Sequence, residues 1–137
     1  MGKAADTAQR FFDLFAKGDL DAILDMTTED CTHVGPSGPQ DNGEWRKYGE
    51  TFRKALPDAR MDVEGVVEDG DYVAIRGRFI GTHDGPLVMP HGEVPASGNV
   101  VDLPFADFFR VSDGKIASHF TYWDQLTMMQ QLGIEAG

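Results

Sequence analysis

Cysteine is almost missing from this sequence: Cys31 stands alone among 137 residues. An intrachain disulfide is therefore excluded, and a reducing compartment is the natural setting. Long apolar runs are missing too, so no segment offers the roughly 20 apolar residues that a bilayer-spanning helix needs. Met1 to Arg10 lacks the apolar core of a secretory signal, and the myristoylation pattern suggested by Gly2 fails at Asp6, where Ser or Thr is required. A cytoplasmic protein is expected. Positive charge is scarce: 12 Lys and Arg against 23 Asp and Glu leave a formal net charge of −11. Neither nucleic acid nor an anionic membrane surface is an expected partner, and the acidity reads as a solubility feature. Metal-ligand spacing is also absent, since the four His are scattered and Cys31 has only His33 near it. No Gly-x-Ser-x-Gly elbow and no Cys-His pairing signals a nucleophilic enzyme.

What remains is the composition of a packed domain, with 41% hydrophobic and 26% charged residues. Residues 1–137 are expected to form one domain. Ala4, Ala8, Phe11, Phe12 and Phe15 recur at helical spacing and are followed by Lys17 and Gly18, a helix with its stop. Asp19 can cap a second short helix through Leu20, Ile23, Leu24 and Met26. Cys31 to Val34 reads as a short extended segment, and Gly35 to Gly43 as a loop. Trp45, Tyr48, Phe52 and Leu56 then mark a third helix that Pro57 ends. Beyond Pro57 the period changes to two. Met61, Val63 and Val67, then Val73, Ile75 and Phe79, alternate around the Glu68-Asp69-Gly70-Asp71 turn. A second hairpin joins Val100–Val111 to Lys115–Asp124 through Ser112-Asp113-Gly114, and Leu126 to Leu132 resumes a helical pattern. Asp84 to Asn99 is a Gly- and Pro-rich loop long enough to form a lid. The expected class is α+β, with helices on one face of a four-stranded antiparallel meander.

Strand alternation predicts which side chains share the covered face. Val73, Ile75, Gly77 and Phe79 continue to His83. Val101, Leu103, Phe105, Phe109 and Val111 include Asp107. Ile116, Ser118, Phe120, Tyr122 and Asp124 form the third set. The turn predicts Val111 opposite Ile116, Phe109 opposite Ser118 and Asp107 opposite Phe120. His83, Asp107 and Asp124 are then polar members of an apolar surface, while Asp102, Arg76, Arg78, Arg110, His119 and Trp123 point outward and His91 lies on the surface. A carboxyl in such a pocket resists ionisation and can act as an acid or base near neutral pH. Structural alternatives stand beside each reading: Asp124 as cap of the last helix, Asp107 as an anchor for backbone amides, His83 bonded within the lid loop, and His33 stabilising a turn. An outward Trp123 favours burial by a second copy of the chain.

In order along the chain, Gly18-Asp19-Leu20-Asp21-Ala22, Thr32-His33-Val34-Gly35-Pro36, Leu56-Pro57-Asp58 and Gly81-Thr82-His83-Asp84-Gly85 lead to Phe109-Arg110-Val111. Asp113-Gly114-Lys115-Ile116, Trp123-Asp124-Gln125-Leu126 and Gln130-Gln131-Leu132-Gly133 complete the series. Together these resemble the SnoaL-like polyketide cyclase and ester cyclase family. The resemblance implies the nuclear transport factor 2-like cone, a curved antiparallel sheet wrapped around N-terminal helices, usually dimeric and needing neither metal nor organic cofactor. It further implies an intramolecular aldol-type cyclisation, with Asp124 matching the family's general acid/base and with His33 and His83 falling in its pocket segments. The expected function is acid/base proton transfer on a hydrophobic, polyketide-like carbonyl compound. Asp124, His83 and His33 are the candidate catalytic residues, and Phe12, Phe52, Phe79, Phe105, Asp107, Phe120 and Tyr122 the candidate walls. A hydrolase or dehydratase on the same cone, or a small-molecule binding protein without catalysis, are the alternatives.

Overall fold

The computed structural model describes residues 2–90 and 92–134; the expectation for His91 lies outside them. Helix α1 (Lys3–Lys17) buries Ala4, Ala8, Phe11, Phe12 and Phe15, the residues the helical period selects, and ends at Gly18 with φ 77°. Gly2 brings no capping side chain, and Glu68 from the sheet takes that part. Its two carboxylate oxygens accept the Gly2 and Ala5 amides at 3.1 and 2.7 Å. Helix α2 (Leu20–Asp25) starts at Asp19, whose side chain accepts the Ala22 amide. Helix α3 (Asn42–Ala55) begins with a complete capping box between Asp41 and Glu44. Helix α4 (Gln125–Gln131) follows the last strand. No helix among the described residues is long and apolar enough to cross a membrane.

The strands are β1 (Thr27–Gly35), β2 (Gly38–Gln40), β3 (Arg60–Asp69), β4 (Tyr72–Thr82), β5 (Leu87–Met89), β6 (Gly92–Val94), β7 (Val100–Ser112) and β8 (Lys115–Trp123). Six form one sheet in the order β2-β1-β8-β7-β4-β3. The expected meander β3-β4-β7-β8 is its larger part. Added to it are β1, parallel to β8, and the short β2 antiparallel to β1. Period two does not reveal β1, because its start, Thr27-Thr28-Glu29-Asp30, is polar throughout and its pairing with β8 is irregular between Thr27 and Thr32. The lid loop also contains structure, the small β5-β6 hairpin, which packs on α3.

The sheet curves without closing, with the helices packed in its hollow, giving the mixed α+β architecture the sequence predicts. Gly77 assists that curvature. Opposite it β3 carries one extra residue, Glu64, and any Cβ at position 77 would overlap the Asp62 carbonyl oxygen. The core lies between α1 and the inner sheet face, where Phe12 packs edge-on against Phe105 and Phe109 at 5.4 and 5.8 Å. On the outer face Tyr72, Phe108 and Tyr122 are exposed.

Candidate active site

The chemistry of the inner face is decided by one residue in the β7-β8 hairpin. Asp113 and Gly114 turn the chain with φ 51° and 77°, and Val111 pairs with Ile116 as the turn predicts. The next pair is Arg110 with Ser118, so Ala117 is an extra residue in β8. A β-bulge of this kind moves every later side chain to the opposite face. Phe109 therefore pairs with His119, Asp107 with Thr121 and Phe105 with Trp123. His119, Thr121 and Trp123 turn inward, whereas Phe120, Tyr122 and Asp124 are exposed.

Between α1, α3 and the sheet lies a cavity of ≈ 110 Å³. Its apolar walls include Phe11 and Phe15 from α1, Trp45 and Phe52 from α3, and Phe79 and Phe105 from the sheet. Tyr48 stands there too, its phenol pushed up to about 12 by burial, so it remains a neutral donor. No Lys or Arg lines the cavity among the described residues.

One wall is polar. His33 on β1 and His119 on β8 meet through their Nδ1 atoms at 3.0 Å. His119 Nε2 lies 2.9 Å from Asp107 Oδ2, and Thr121 Oγ1 donates to Asp107 Oδ1. At the other end His33 Nε2 is 2.9 Å from Asn42 Oδ1. His33, His119 and Asp107 are 1%, 2% and 4% exposed, so water does not supply their partners. Both rings are clamped: His33 stacks on Trp45 at 4.9 Å, and His119 stacks on Phe109 at 4.7 Å with Phe11 edge-on at 4.8 Å. Burial, reinforced by the neighbouring His119, lowers the His33 pKa to about 4.

The structure brings His33, Asp107, Phe52, Phe79 and Phe105 to the cavity as the sequence predicts. It corrects the placement of five candidate site residues, and of His119 and Trp123 besides. Asp124 sits at the N-cap of α4, accepting from the Thr127 amide at 3.0 Å and the Thr127 hydroxyl at 2.6 Å, bonds that hold its carboxyl below the usual range. An ionised, solvated cap has lost the geometric basis for a pocket acid. Asp124→Ala is expected to lower the melting temperature by a few degrees through loss of the cap, with turnover unaffected, as thermal denaturation alongside an activity assay would show. Phe120 and Tyr122 are outside for the reason given by the bulge, and Phe12 is core rather than cavity wall. His83 is fully buried but ties down the lid loop, accepting from the Ser97 amide at 3.3 Å and meeting the Ser97 hydroxyl at 2.8 Å; it is not part of the cavity lining. His119 and Trp123, expected outside, are inside, while Arg76 and Arg110 are exposed and Arg78 pairs with Asp102. Cys31 is buried, and its thiol is pushed up to about 11 by burial and by Asp30, so it stays protonated.

Alternation as read from the turn misses His119, Thr121 and Trp123 because nothing in the local residues announces the bulge. Asn42 is missed because its link to His33 depends on how α3 sits against β1. Among the described residues no group of three or more His, Cys, Asp or Glu is placed to hold a metal ion.

The model of the SnoaL-like polyketide cyclase family matches residues 5–132. The chain belongs to that family. Among solved structures, this SnoaL-like chain is 28% identical to IdmH of Streptomyces antibioticus, a candidate polyketide cyclase, with a TM-score of 0.81 over 97% of this chain and 100% of that one. A candidate polyketide cyclase from Bacillus cereus ATCC 10987 is also 28% identical, with a TM-score of 0.79 over 98% and 83% of the two chains. A SnoaL-like candidate cyclase from Jannaschia sp. CCS1 shares 24% identity and a TM-score of 0.84 over 98% and 94%. No curated protein matches the sequence significantly. Family membership supports a cyclase- or isomerase-type function on a small molecule.

Proposed function

We propose that the protein catalyses acid/base proton transfer on a neutral, hydrophobic carbonyl compound, an intramolecular aldol-type cyclisation, with Asp107 as the exchanging group and His119 as its partner. The supporting observation is a carboxyl and an imidazole 2.9 Å apart, both buried, on a polar wall of a largely apolar cavity. Asp107 removes a proton alpha to a carbonyl; the enolate carbon attacks a second carbonyl of the same molecule, forming the carbon–carbon bond. The resulting alkoxide takes the proton back, so none is gained or lost. The Trp123 indole N–H, buried beside the cavity with no acceptor among the described residues, is a donor suited to a substrate oxygen. Neutrality follows from the lining: without Lys or Arg, a substrate anion would be desolvated with no compensating cation.

The chain's two Trp, Trp45 and Trp123, both line the cavity, so intrinsic fluorescence reports directly on occupancy. Titration with flat aromatic ketones and esters is expected to quench it, and the corresponding carboxylates are expected to bind at least about tenfold more weakly. Equal binding of acid and ester, or no turnover of any dicarbonyl ester that binds, would remove this reading. We further propose a homodimer through the outer sheet face, supported now by exposed Phe108, Phe120 and Tyr122 rather than by Trp123. Sedimentation equilibrium should give twice the chain mass, and Phe108→Lys should return it to the monomer value.

A further inference from the structure

We propose that Asn42, the first residue of α3, is a positioning residue that dictates which ring nitrogens of His33 and His119 carry hydrogen, and so confines the one exchangeable proton to the His119–Asp107 pair. The inference rests on the acid/base reading of that pair for its consequence in turnover.

Each hydrogen follows from the one before it. The Thr28 carbonyl oxygen can only accept, and Asn42 Nδ2 lies 3.0 Å from it. The amide is thereby oriented, with Oδ1 towards His33. A carbonyl oxygen cannot donate, so His33 Nε2, 2.9 Å away, carries hydrogen. Burial keeps that ring neutral, which leaves a lone pair on Nδ1. His119 Nδ1, 3.0 Å away, must then be the donor. Only one hydrogen position remains undetermined, between His119 Nε2 and Asp107 Oδ2. That hydrogen rests either on nitrogen, as imidazolium and carboxylate, or on oxygen, as neutral imidazole and carboxylic acid. Thr121 donates to the other Asp107 oxygen in both cases.

Reversing the Asn42 amide would reverse every step. His33 would carry hydrogen on Nδ1, His119 would accept there and donate from Nε2, and the carboxylate of Asp107 would face a neutral imidazole, with no second hydrogen left in the pair to share. The groups facing His33 are Asn42 and Asp41 from the start of α3, the Trp45 ring, and His119 from β8. Asn42 and Asp41 favour a charged ring, but burial and His119 outweigh them. The anchor lies on α3, away from the strands that carry the reacting pair.

The test is nitrogen NMR of the whole protein labelled in its histidines. At pH 7 the wild type should show His33 protonated on Nε2 alone and His119 protonated on Nδ1. In Asn42→Asp a carboxylate replaces the amide, His33 takes a second proton, and the pH at which it does so should rise by about one to three pH units. The substitution removes the donor to the Thr28 carbonyl but puts an acidic residue in the first turn, which is favourable to a helix, and the wild-type spectrum needs no variant at all. Hydrogen on His33 Nδ1 in the wild type, or an Asn42→Asp protein with an unmoved pattern and midpoint, overturns the proposal. The expected pattern together with undiminished turnover in Asp107→Asn would count instead against the acid/base reading, so the two failures are told apart.

Discussion

Asp107→Asn is expected to slow turnover by about a hundred- to ten-thousand-fold while leaving the fold in place. The substitution suits the hydrogen arrangement around it. An Asn amide nitrogen can donate to the lone pair of His119 Nε2, and its oxygen can accept from Thr121, so both existing contacts persist. What disappears is the group able to exchange a proton with substrate. Asp107→Ala should behave differently, because it strips a buried partner from both His119 and Thr121; a loss of about 3–5 kcal/mol in stability is expected. Measuring turnover and urea denaturation on both variants separates chemistry from folding. Asp124→Asn serves as the control and should match the wild type in rate. If Asp124→Asn loses activity and Asp107→Asn does not, the carboxyl assigned to the cavity is the wrong one.

Acid should weaken this protein well before its carboxylates are the main cause. His33 protonates near pH 6.5 in the unfolded chain but near 4 when folded, because burial disfavours the charged ring. The folded state thus binds fewer protons than the unfolded state between these values. The contribution is fully present above pH 6.5 and is lost as the pH falls towards 4, where the folded ring also protonates. At 1.36 kcal/mol per pH unit, the loss is about 3 kcal/mol. A typical stability is about 5–15 kcal/mol, so this is roughly a fifth to three-fifths of the whole. Urea midpoints at pH 7.5 and 4 would measure it, and His33→Gln, with no ring to charge, should show a correspondingly flatter dependence. The same pH slope in both proteins would mean that His33 is not the group responsible.

The architecture was legible because it rests on repeated signals. Helices α1 and α3 each have an apolar period and a terminator, Gly18 and Pro57, and β4 and β7 pair without a register shift from Val73 to Gly81 and from Val101 to Phe109. Those strands place Phe79, Phe105 and Asp107 correctly for the same reason. The site was legible only in part, because its other half comes from features with no local signature. The inner set of β8 depends on Ala117 being extra, and no property of Ala117 distinguishes it from a regular strand residue. By hydrophobicity alone, Phe120 and Tyr122 are better inner residues than His119 and Thr121. His33 reaches His119 through a parallel pairing between β1 and β8, contacts 86 residues apart in sequence that no short-range pattern encodes. Asp124 shows one local rule overruling another: alternation turns it inward, but Asp before a helix is a good cap, and the structure uses it as one.

The bulge also says how such a site could be rewritten. Pressing the surplus alanine into regular pairing opposite Arg110 would exchange two complete sets of side chains at a stroke, retracting an imidazole, a hydroxyl and an indole from the hollow and delivering two phenyl-type rings in their place, whereas deleting it would straighten the strand and leave the present set inside. The register of the hairpin, more than the identity of any single amino acid in it, therefore governs what chemistry the concave side can offer. A relative with a hairpin of the same length but without the bulge would share the shape and carry different reactive groups.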